Sequence, residues 1–146
     1  MRLWIAAWAL ASMHAYADPY ETDGDLAQRD PDYAAAKAAI EKKDWVEAAA
    51  RLQKTAMREP DSADVQNLIG YSYRNLGKYD LAFKHYKLAI GLDPRHRGAH
   101  EYIGETYLLT GDLASANKHL EVLRGICLIP CEELKDLERV VAAYRK

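Results

Sequence analysis

The chain has 146 residues, of which 49% are apolar and 29% are charged, and its formal net charge is −2. A chain of this length forms one domain or one short repeat array, and its composition is that of an ordinary globular protein rather than a disordered one. The small negative charge gives no electrostatic reason to expect nucleic-acid binding.

The segment 1–17 has the order of a secretory signal. Arg2 is followed by the apolar run LWIAAWALA and then by Ala15-x-Ala17, a typical cleavage pattern. The run is far shorter than the roughly 20 residues that span a bilayer, and no cysteine lies near the cut to carry a lipid. We therefore expect cleavage after Ala17 and export, to the periplasm in a bacterium and to the outside otherwise, with no stable membrane insertion of the mature chain.

Residues 18–28 carry several acids, a Gly and a Pro, and they have no sustained apolar period. This composition predicts a flexible acidic N-terminal tail.

A period of 34 residues organises the next part of the chain into three units, at 29–62, 63–96 and 97–130. Small residues, turn residues and large residues return at fixed places in each unit, and such self-similarity is typical of a repeat array. The aligned columns include Ala36, Gly70 and Gly104; Ala39, Tyr73 and Tyr107; Lys43, Gly77 and Gly111; Trp45, Tyr79 and Leu113; Ala48, Ala82 and Ala116; and Leu52, Tyr86 and Leu120.

Each unit is predicted to be a helix, a short turn and a second helix. In the middle unit, Gly77 separates two apolar stripes of helical period, and Asp93-Pro94 ends the second helix. Gly70 and Ala82 are small enough to let the two antiparallel helices approach closely. The first stripe consists of Ile69, Tyr73 and Leu76, and the second of Tyr79, Ala82, Tyr86, Ala89 and Ile90.

This pattern resembles the tetratricopeptide repeat, whose unit has the same length and carries two aromatics, a Leu, a Gly, a Tyr, an Ala and a Pro. The third unit has His100 at the first aromatic position, and the first unit is degenerate because alanines replace the larger residues of its first helix. The resemblance implies an all-α solenoid of three helix-turn-helix units. The middle unit matches through Ile69, Gly70, Tyr73, Ala82, Tyr86 and Pro94.

Residues 131–146 are predicted to form a capping helix, because Leu134, Leu137, Val141 and Tyr144 make one stripe with charged residues opposite. An array of stacked helix pairs leaves its last apolar surface open unless such a helix covers it.

Cys127 and Cys131 are the only two cysteines, and they lie where the third unit meets the predicted cap. In an exported chain the pair is most simply a disulfide that holds the cap to the array. The alternatives are a redox or copper(I) site, which low-pKa thiols near a helix start would favour, and two free thiols.

The sequence carries no phosphate loop, nucleophile elbow or two-His protease motif, so we expect no enzyme activity, no metal site and no cofactor. His96 and His100 have the i, i+4 spacing of a metal pair, but the turn before His100 favours a solvated pair on the rim instead. His85 and His119 occupy equivalent repeat positions, which predicts equivalent environments in adjacent units.

The resemblance implies that the first helix of each unit lines a concave groove. Asn side chains can bond an extended peptide backbone, and Tyr and Arg are enriched at binding hot spots. The expected groove residues are Tyr33, Lys37 and Glu41 of the first unit, Asn67, Tyr71, Arg74 and Asn75 of the second, and Glu101, Tyr102, Glu105 and Leu108 of the third.

Some family members hold a C-terminal carboxylate with a Lys, Asn and Arg clamp, and Lys37, Asn67 and Arg74 have that chemistry. Glu101 and Glu105 stand where the clamp would need positive charge, so a peptide or protein partner of mixed charge is favoured. The sequence thus predicts an exported, non-catalytic adaptor. Its alternatives are a copper- or thiol-handling accessory protein that uses the C-x3-C pair, and an assembly protein that associates with itself.

Overall fold

The computed structural model describes residues 23–144, and the predicted signal at 1–17 lies outside them. Within the described residues the chain forms helices and no strand, as the repeat pattern predicts. The helices are α1 (Asp23–Arg29), α2 (Pro31–Glu41), α3 (Trp45–Arg58), α4 (Ala63–Asn75), α5 (Tyr79–Leu92), α6 (Arg97–Leu109), α7 (Leu113–Ile126) and α8 (Glu132–Tyr144).

The three units are the helix pairs α2–α3, α4–α5 and α6–α7. Short connections between the helices of a pair make them antiparallel neighbours. The turns repeat the same backbone conformation, with φ of 58° at Lys43, 71° at Gly77 and 85° at Gly111. The left-handed turn predicted at Gly77 is therefore present in every unit, and the first unit holds it with a lysine, which has a Cβ that strains this conformation.

Side-chain caps fix where most helices begin. Asp44, Ser62 and Asp112 each accept a hydrogen bond from a backbone N–H in the first turn of α3, α4 and α7. Asp30 does the same for α2 through the amides of Asp32 and Tyr33. Each cap satisfies an amide that the helix itself leaves unpaired, which is why the polar residue before each apolar stripe sets its start.

Close packing at two equivalent glycine positions brings the helices of the array together. A Cβ built on Gly70 would lie 2.7 Å from the ring of Tyr86, and one on Gly104 would lie 2.8 Å from Leu137. Ala82 is fully buried as well. Any larger residue at these glycines would push the packed partner away.

The helix α8 covers the C-terminal end of the array. Leu134, Leu137 and Val141 are buried against α6 and α7, whereas Tyr144, predicted to belong to the same stripe, is 47% exposed. The sulfur atoms of Cys127 and Cys131 lie at disulfide distance, and their Cα atoms are 5.8 Å apart. The covalent link spans the turn from α7 to α8.

The N-terminal end differs from its prediction. Residues 23–29, most of which were expected to belong to a flexible tail, form α1, and Leu26 is buried in one cluster with Tyr33 and Leu52. Leu26 is an isolated apolar residue in its segment, so no period in the sequence announced the helix. The core of the first unit supplies the surface that it covers.

Candidate functional site

We call the first helix of each unit its leading helix. The leading helices of the second and third units, α4 and α6, lie side by side in a constant register. Tyr71 meets Tyr102, Arg74 meets Glu105, and the amide of Asn67 lies against the backbone at Gly98. The sequence separation is the same in all three pairs, which means that the two helices run parallel along one face. We call this face of α4 and α6, centred on these six residues, the leading-helix groove.

Aromatic rings cross the groove in a continuous row. Trp45 packs edge-on against Tyr71 with the ring centroids 5.5 Å apart, and Tyr71 lies 4.9 Å from Tyr102. Both tyrosines remain partly exposed, and Tyr102 also packs against the buried cluster of Ala82, Tyr86 and Ile103. Trp45 was not among the predicted groove residues, and its repeat column, shared with Tyr79 and Leu113, gave no signal that it would reach this face.

Arg74 occupies the centre of the row. Its guanidinium carbon lies 5.1 Å from the Tyr71 ring centroid and 5.2 Å from that of Tyr102, and it forms an ion pair with Glu105. Burial opposes the charge, but the fields of Tyr86 and Glu105 outweigh it and leave the pKa of Arg74 above its ordinary value. The side chain is only 13% exposed and already neutralised. Arg74 is therefore not available to clamp a carboxylate.

Two acceptors in the groove are almost completely buried. Asn67 is 6% exposed, and among the described residues its Oδ1 has no hydrogen-bond partner. Glu101 is 8% exposed. Burial, and then the negative charges of Glu105, Asp136 and Glu133, raise the pKa of Glu101 to about 8. An ionised carboxylate is thus unfavourable here unless a cation joins it.

Two predicted groove residues are buried in the core, and of these only Leu108 also lines the groove. Tyr33 is fully buried with Leu26, Leu52 and Val65, because α1, α3 and α4 each contribute an apolar side chain that covers its ring. Tyr33 is therefore not available to a partner, and that prediction was wrong. Leu108 is 9% exposed and packs mainly in the cluster beneath α8.

The remaining predicted residues lie at the margins of the groove. Lys37 contributes a positive field that helps to lower the pKa of Asp64 on the next leading helix, after the larger effect of the hydrogen bond from His96. Glu41 is exposed at the end of α2, and Asn75 donates its side-chain amide to the carbonyl of Tyr71.

A pocket closes the far end of the groove, between α4, α6 and α8, with a volume of about 330 Å³. Its walls combine the Arg74–Glu105 ion pair with aliphatic side chains, so the pocket suits a peptide side chain that has both a polar and an apolar part. It is lined by Arg74, Asn75, Glu105, Leu108, Leu109 and Val140.

The histidines of the second helices have equivalent environments. Nδ1 of His85 lies 2.8 Å from Oε1 of Gln66, and Nδ1 of His119 lies 2.9 Å from Nδ1 of His100. Gln66 and His100 are themselves one repeat apart. Because Nε2 of His100 donates to the carbonyl of Pro94 at 3.1 Å, its Nδ1 is the acceptor and His119 is the donor.

The solvated pair expected from His96 and His100 does not form. His100 is 4% exposed inside the third unit, whereas His96 caps α6 by accepting from the amide of Ala99. Nε2 of His96 also lies 2.9 Å from Asp64. The two rings diverge because residue 96 precedes α6 and residue 100 already lies within it.

Within residues 23–144, no group of three or more His, Cys, Asp or Glu side chains could hold a metal ion. None of the helices described between those limits is long and apolar enough to cross a bilayer.

Comparison with known proteins agrees with this architecture. Residues 63–96 match the family model of the tetratricopeptide repeat, so the middle unit is such a repeat and the chain folds as an all-α solenoid of this type. No curated protein matches the sequence. Solved structures match over most of the chain at low identity, which shows a shared fold.

The structure of the Yersinia enterocolitica type III secretion translocator chaperone SycD is 18% identical, covers 86% of this chain and 87% of its own, and superposes with a TM-score of 0.72. The TPR2B domain of yeast Sti1, solved as a complex with pHsp70, is 17% identical, with coverages of 84% and 96% and a TM-score of 0.72. The first TPR of Spaghetti (RPAP3), bound to the HSP90 peptide SRMEEVD, is 18% identical, with coverages of 76% and 88% and a TM-score of 0.66.

Proposed function

We propose that this chain is an exported, non-catalytic adaptor that binds a peptide or protein segment along the leading-helix groove. One observation carries the proposal: the row formed by Trp45, Tyr71 and Tyr102, with Arg74 held at its centre. Trp, Tyr and Arg are the residue types that most often dominate binding energy at protein interfaces, and here Arg74 holds the two tyrosine rings in place.

The similar folds support a binding role. SycD, Sti1 and RPAP3 were each solved with a peptide or protein partner, SycD with a peptide of the translocator YopD. Those partners belong to those proteins. What carries over is the use of this fold as an extended binding surface, for which the groove described above has suitable side chains.

The charge of the groove favours a different peptide from SRMEEVD, which ends in acids. Arg74 is already paired with Glu105, and Glu101, which binds a proton near neutral pH, would ionise beside a cation but not beside a further acidic group. Like charges placed together at an interface cost affinity and thereby exclude wrong partners. We therefore propose a partner segment of mixed or positive charge rather than an acidic C-terminus.

Affinity capture tests the adaptor proposal. The mature chain would be immobilised and exposed to an envelope extract, with wild type compared with Tyr71→Ala plus Arg74→Ala. The captured protein would then be purified and titrated. We expect the double variant to weaken binding by about thirtyfold or more, since hot-spot truncation costs about 2 kcal/mol or more.

Met57→Ala is the matched control, because Met57 is 83% exposed on α3, away from the groove. It should leave the affinity unchanged. Circular dichroism must show that the double variant remains folded. Equal affinity of the folded double variant and the wild type would refute the groove as the binding site.

The export part of the proposal rests on residues 1–17 and on the compartment in which a disulfide such as Cys127–Cys131 persists. Expression of the full chain in a bacterial host followed by fractionation should recover a periplasmic product whose first residue is Asp18. A product retained in the cytoplasm with Met1 or Arg2 at its start would contradict export.

A further inference from the structure

One repeat position carries different chemistry in each unit. Tyr33, Asn67 and Glu101 stand one repeat apart in sequence and occupy equivalent places on α2, α4 and α6. All three are buried, with exposures of 0%, 6% and 8%. Tyr33 shows that an aromatic ring can fill this position within the repeat. The hydrogen-bond acceptors at the same position in the second and third units are therefore not required by packing alone.

Glu101 differs from the acids around it in having no ion-pair partner among the described residues. Glu105 pairs with Arg74, and Asp136 pairs with Arg139 at 2.9 Å. The third acid, Glu133, lies 3.7 Å from Arg97. Four carboxylates thus share three guanidinium groups, and the unmatched carboxylate is the most deeply buried of the four.

Asn67 supplies an independent observation. Its Oδ1 is buried and, within the described part of the chain, accepts no hydrogen bond. The amide reaches towards the first turn of α6, since Nδ2 would lie 3.2 Å from a Cβ on Gly98. Side chains in a helix lean towards its N-terminus, so Glu101, one turn further along, inclines over the same turn. Two buried acceptors that lack a matching donor therefore lie near the first turns of α6, one reaching it from α4 and the other on α6 itself.

Unsatisfied buried acceptors call for a donor, and an unmatched carboxylate calls for a positive one. The groove already accommodates a guanidinium in this environment, as Arg74 shows against Tyr71 and Tyr102. We propose that Glu101 and Asn67 form a subsite of the leading-helix groove that receives an arginine or lysine side chain of the bound segment. This inference rests on the proposed adaptor function and specifies the chemistry of its partner.

Binding at this subsite should release a proton, which distinguishes it from ordinary attraction between surface charges. Glu101 holds a proton near neutral pH because it is buried and faces Glu105 on its own helix and Glu133 and Asp136 on α8, with Arg74 on α4 as the opposing charge. Arg139 of α8 also lies within the field of Glu101. A cation that enters the subsite favours the ionised carboxylate, so its binding at neutral pH releases a proton.

The test uses Nα-acetylarginine amide as the probe and its neutral isostere, Nα-acetylcitrulline amide, as the comparison. Both would be titrated into the mature chain and followed by the amide resonances of α4 and α6. We expect the arginine probe to shift the resonances around Asn67, Gly98 and Glu101, and the citrulline probe to bind about tenfold more weakly or not at all.

Glu101→Gln keeps the shape of the side chain and removes its charge, so it should weaken the arginine probe about tenfold and abolish proton release, measured by calorimetry in buffers of different ionisation enthalpy. Asn67→Ala should weaken it less, because the charge remains. Glu121→Gln is the matched control; this acid is exposed on α7, where it pairs with Arg124 of its own helix, and should change nothing.

Equal binding of the two probes, or unchanged arginine binding by Glu101→Gln, would overturn the subsite. The adaptor proposal has a separate test, because the capture experiment depends on Tyr71 and Arg74. A captured partner that needs those residues, combined with failure of the arginine probe, would remove only the subsite. Arginine binding at Glu101 without any groove-dependent partner would instead remove the adaptor.

Discussion

The two ends of the array cover their outermost apolar surfaces in different ways. At the N-terminal end the first unit is covered by the short helix α1 and fills its buried repeat position with Tyr33. At the C-terminal end the third unit is covered by the longer helix α8, is held by the Cys127–Cys131 pair, and places Glu101 at the same position. The first unit therefore puts this position into its core, whereas the third unit keeps an acid there at an energetic cost.

This difference shows that the repeat determines the helical framework, whereas the residue at a given repeat position can differ in chemistry from one unit to the next. The first unit has few large apolar residues in its leading helix, so Tyr33 carries a large part of its packing. The third unit obtains its packing from α8, through Leu137 and its neighbours. The position of Glu101 in the third unit is therefore not needed for packing, which agrees with a binding role for this residue.

The largest expected effect is at the first unit. Tyr33→Ala should lower the free energy of unfolding by about 3–5 kcal/mol, because it empties a fully buried aromatic site. Urea denaturation followed by circular dichroism measures it. Met57→Ala, at an 83% exposed position, should change stability by no more than about 0.5 kcal/mol. Similar values for the two variants would show that Tyr33 does not support the N-terminal end.

The disulfide tests the C-terminal end. Replacing Cys127 and Cys131 together by Ala should cost about 2 kcal/mol, the loop-closure value for a link between residues close in sequence. Hydrogen exchange should then show faster opening of α8 and unchanged protection of α2. Faster exchange at both ends would mean that the link stabilises the whole array rather than its cap.

Glu101→Gln should have the opposite sign to Tyr33→Ala. Because the pKa of Glu101 is raised to about 8, the folded state binds its proton more tightly than the unfolded state does, and wild-type stability is lost as pH rises from about 4.5 to 8. The variant lacks this loss. We expect it to be more stable by about 1–2 kcal/mol at pH 8, after allowance for solvent screening, with the difference closing by pH 5.

Thermal unfolding at several pH values measures this difference. A constant difference between Glu101→Gln and wild type across the range would show that Glu101 titrates normally. The stability gain of the variant would then give no support for the hypothesis that Glu101 is retained for binding at a cost in stability.

The smallest expected effect distinguishes the second unit from the third. Burial, and then His100 and Lys118, lower the pKa of His119 to about 4, so the unfolded state takes up its proton first and stability falls as pH drops from about 6.5 to 4. His100→Gln copies the Gln66–His85 pair of the second unit into the third. It should reduce the acid loss by about 1 kcal/mol, measured as the change in unfolding free energy between pH 7 and pH 5.

An unchanged acid profile for His100→Gln would mean that burial of His119, rather than its histidine neighbour, sets the response.

The sequence by itself determined the period, the helix pairs and the turns, because these depend on residue types whose effects are local. Gly77 and Gly111 adopt the left-handed conformation, polar caps begin the helices, and Gly70 and Ala82 permit close approach wherever the helices meet. The stripe of α8 likewise identified its buried face. Each of these is a property of a few neighbouring residues.

Only the tertiary structure decided which face of each leading helix a partner can reach. Tyr33 and Tyr71 look alike as aromatic residues on leading helices, yet the first is sealed beneath α1 and the second stacks in the groove with Trp45, which reaches it from the start of α3. Burial depends on neighbours far along the chain, and the same is true of the missing ion-pair partner at Glu101. Such facts follow from summed contacts among several helices, which no local pattern of residues encodes.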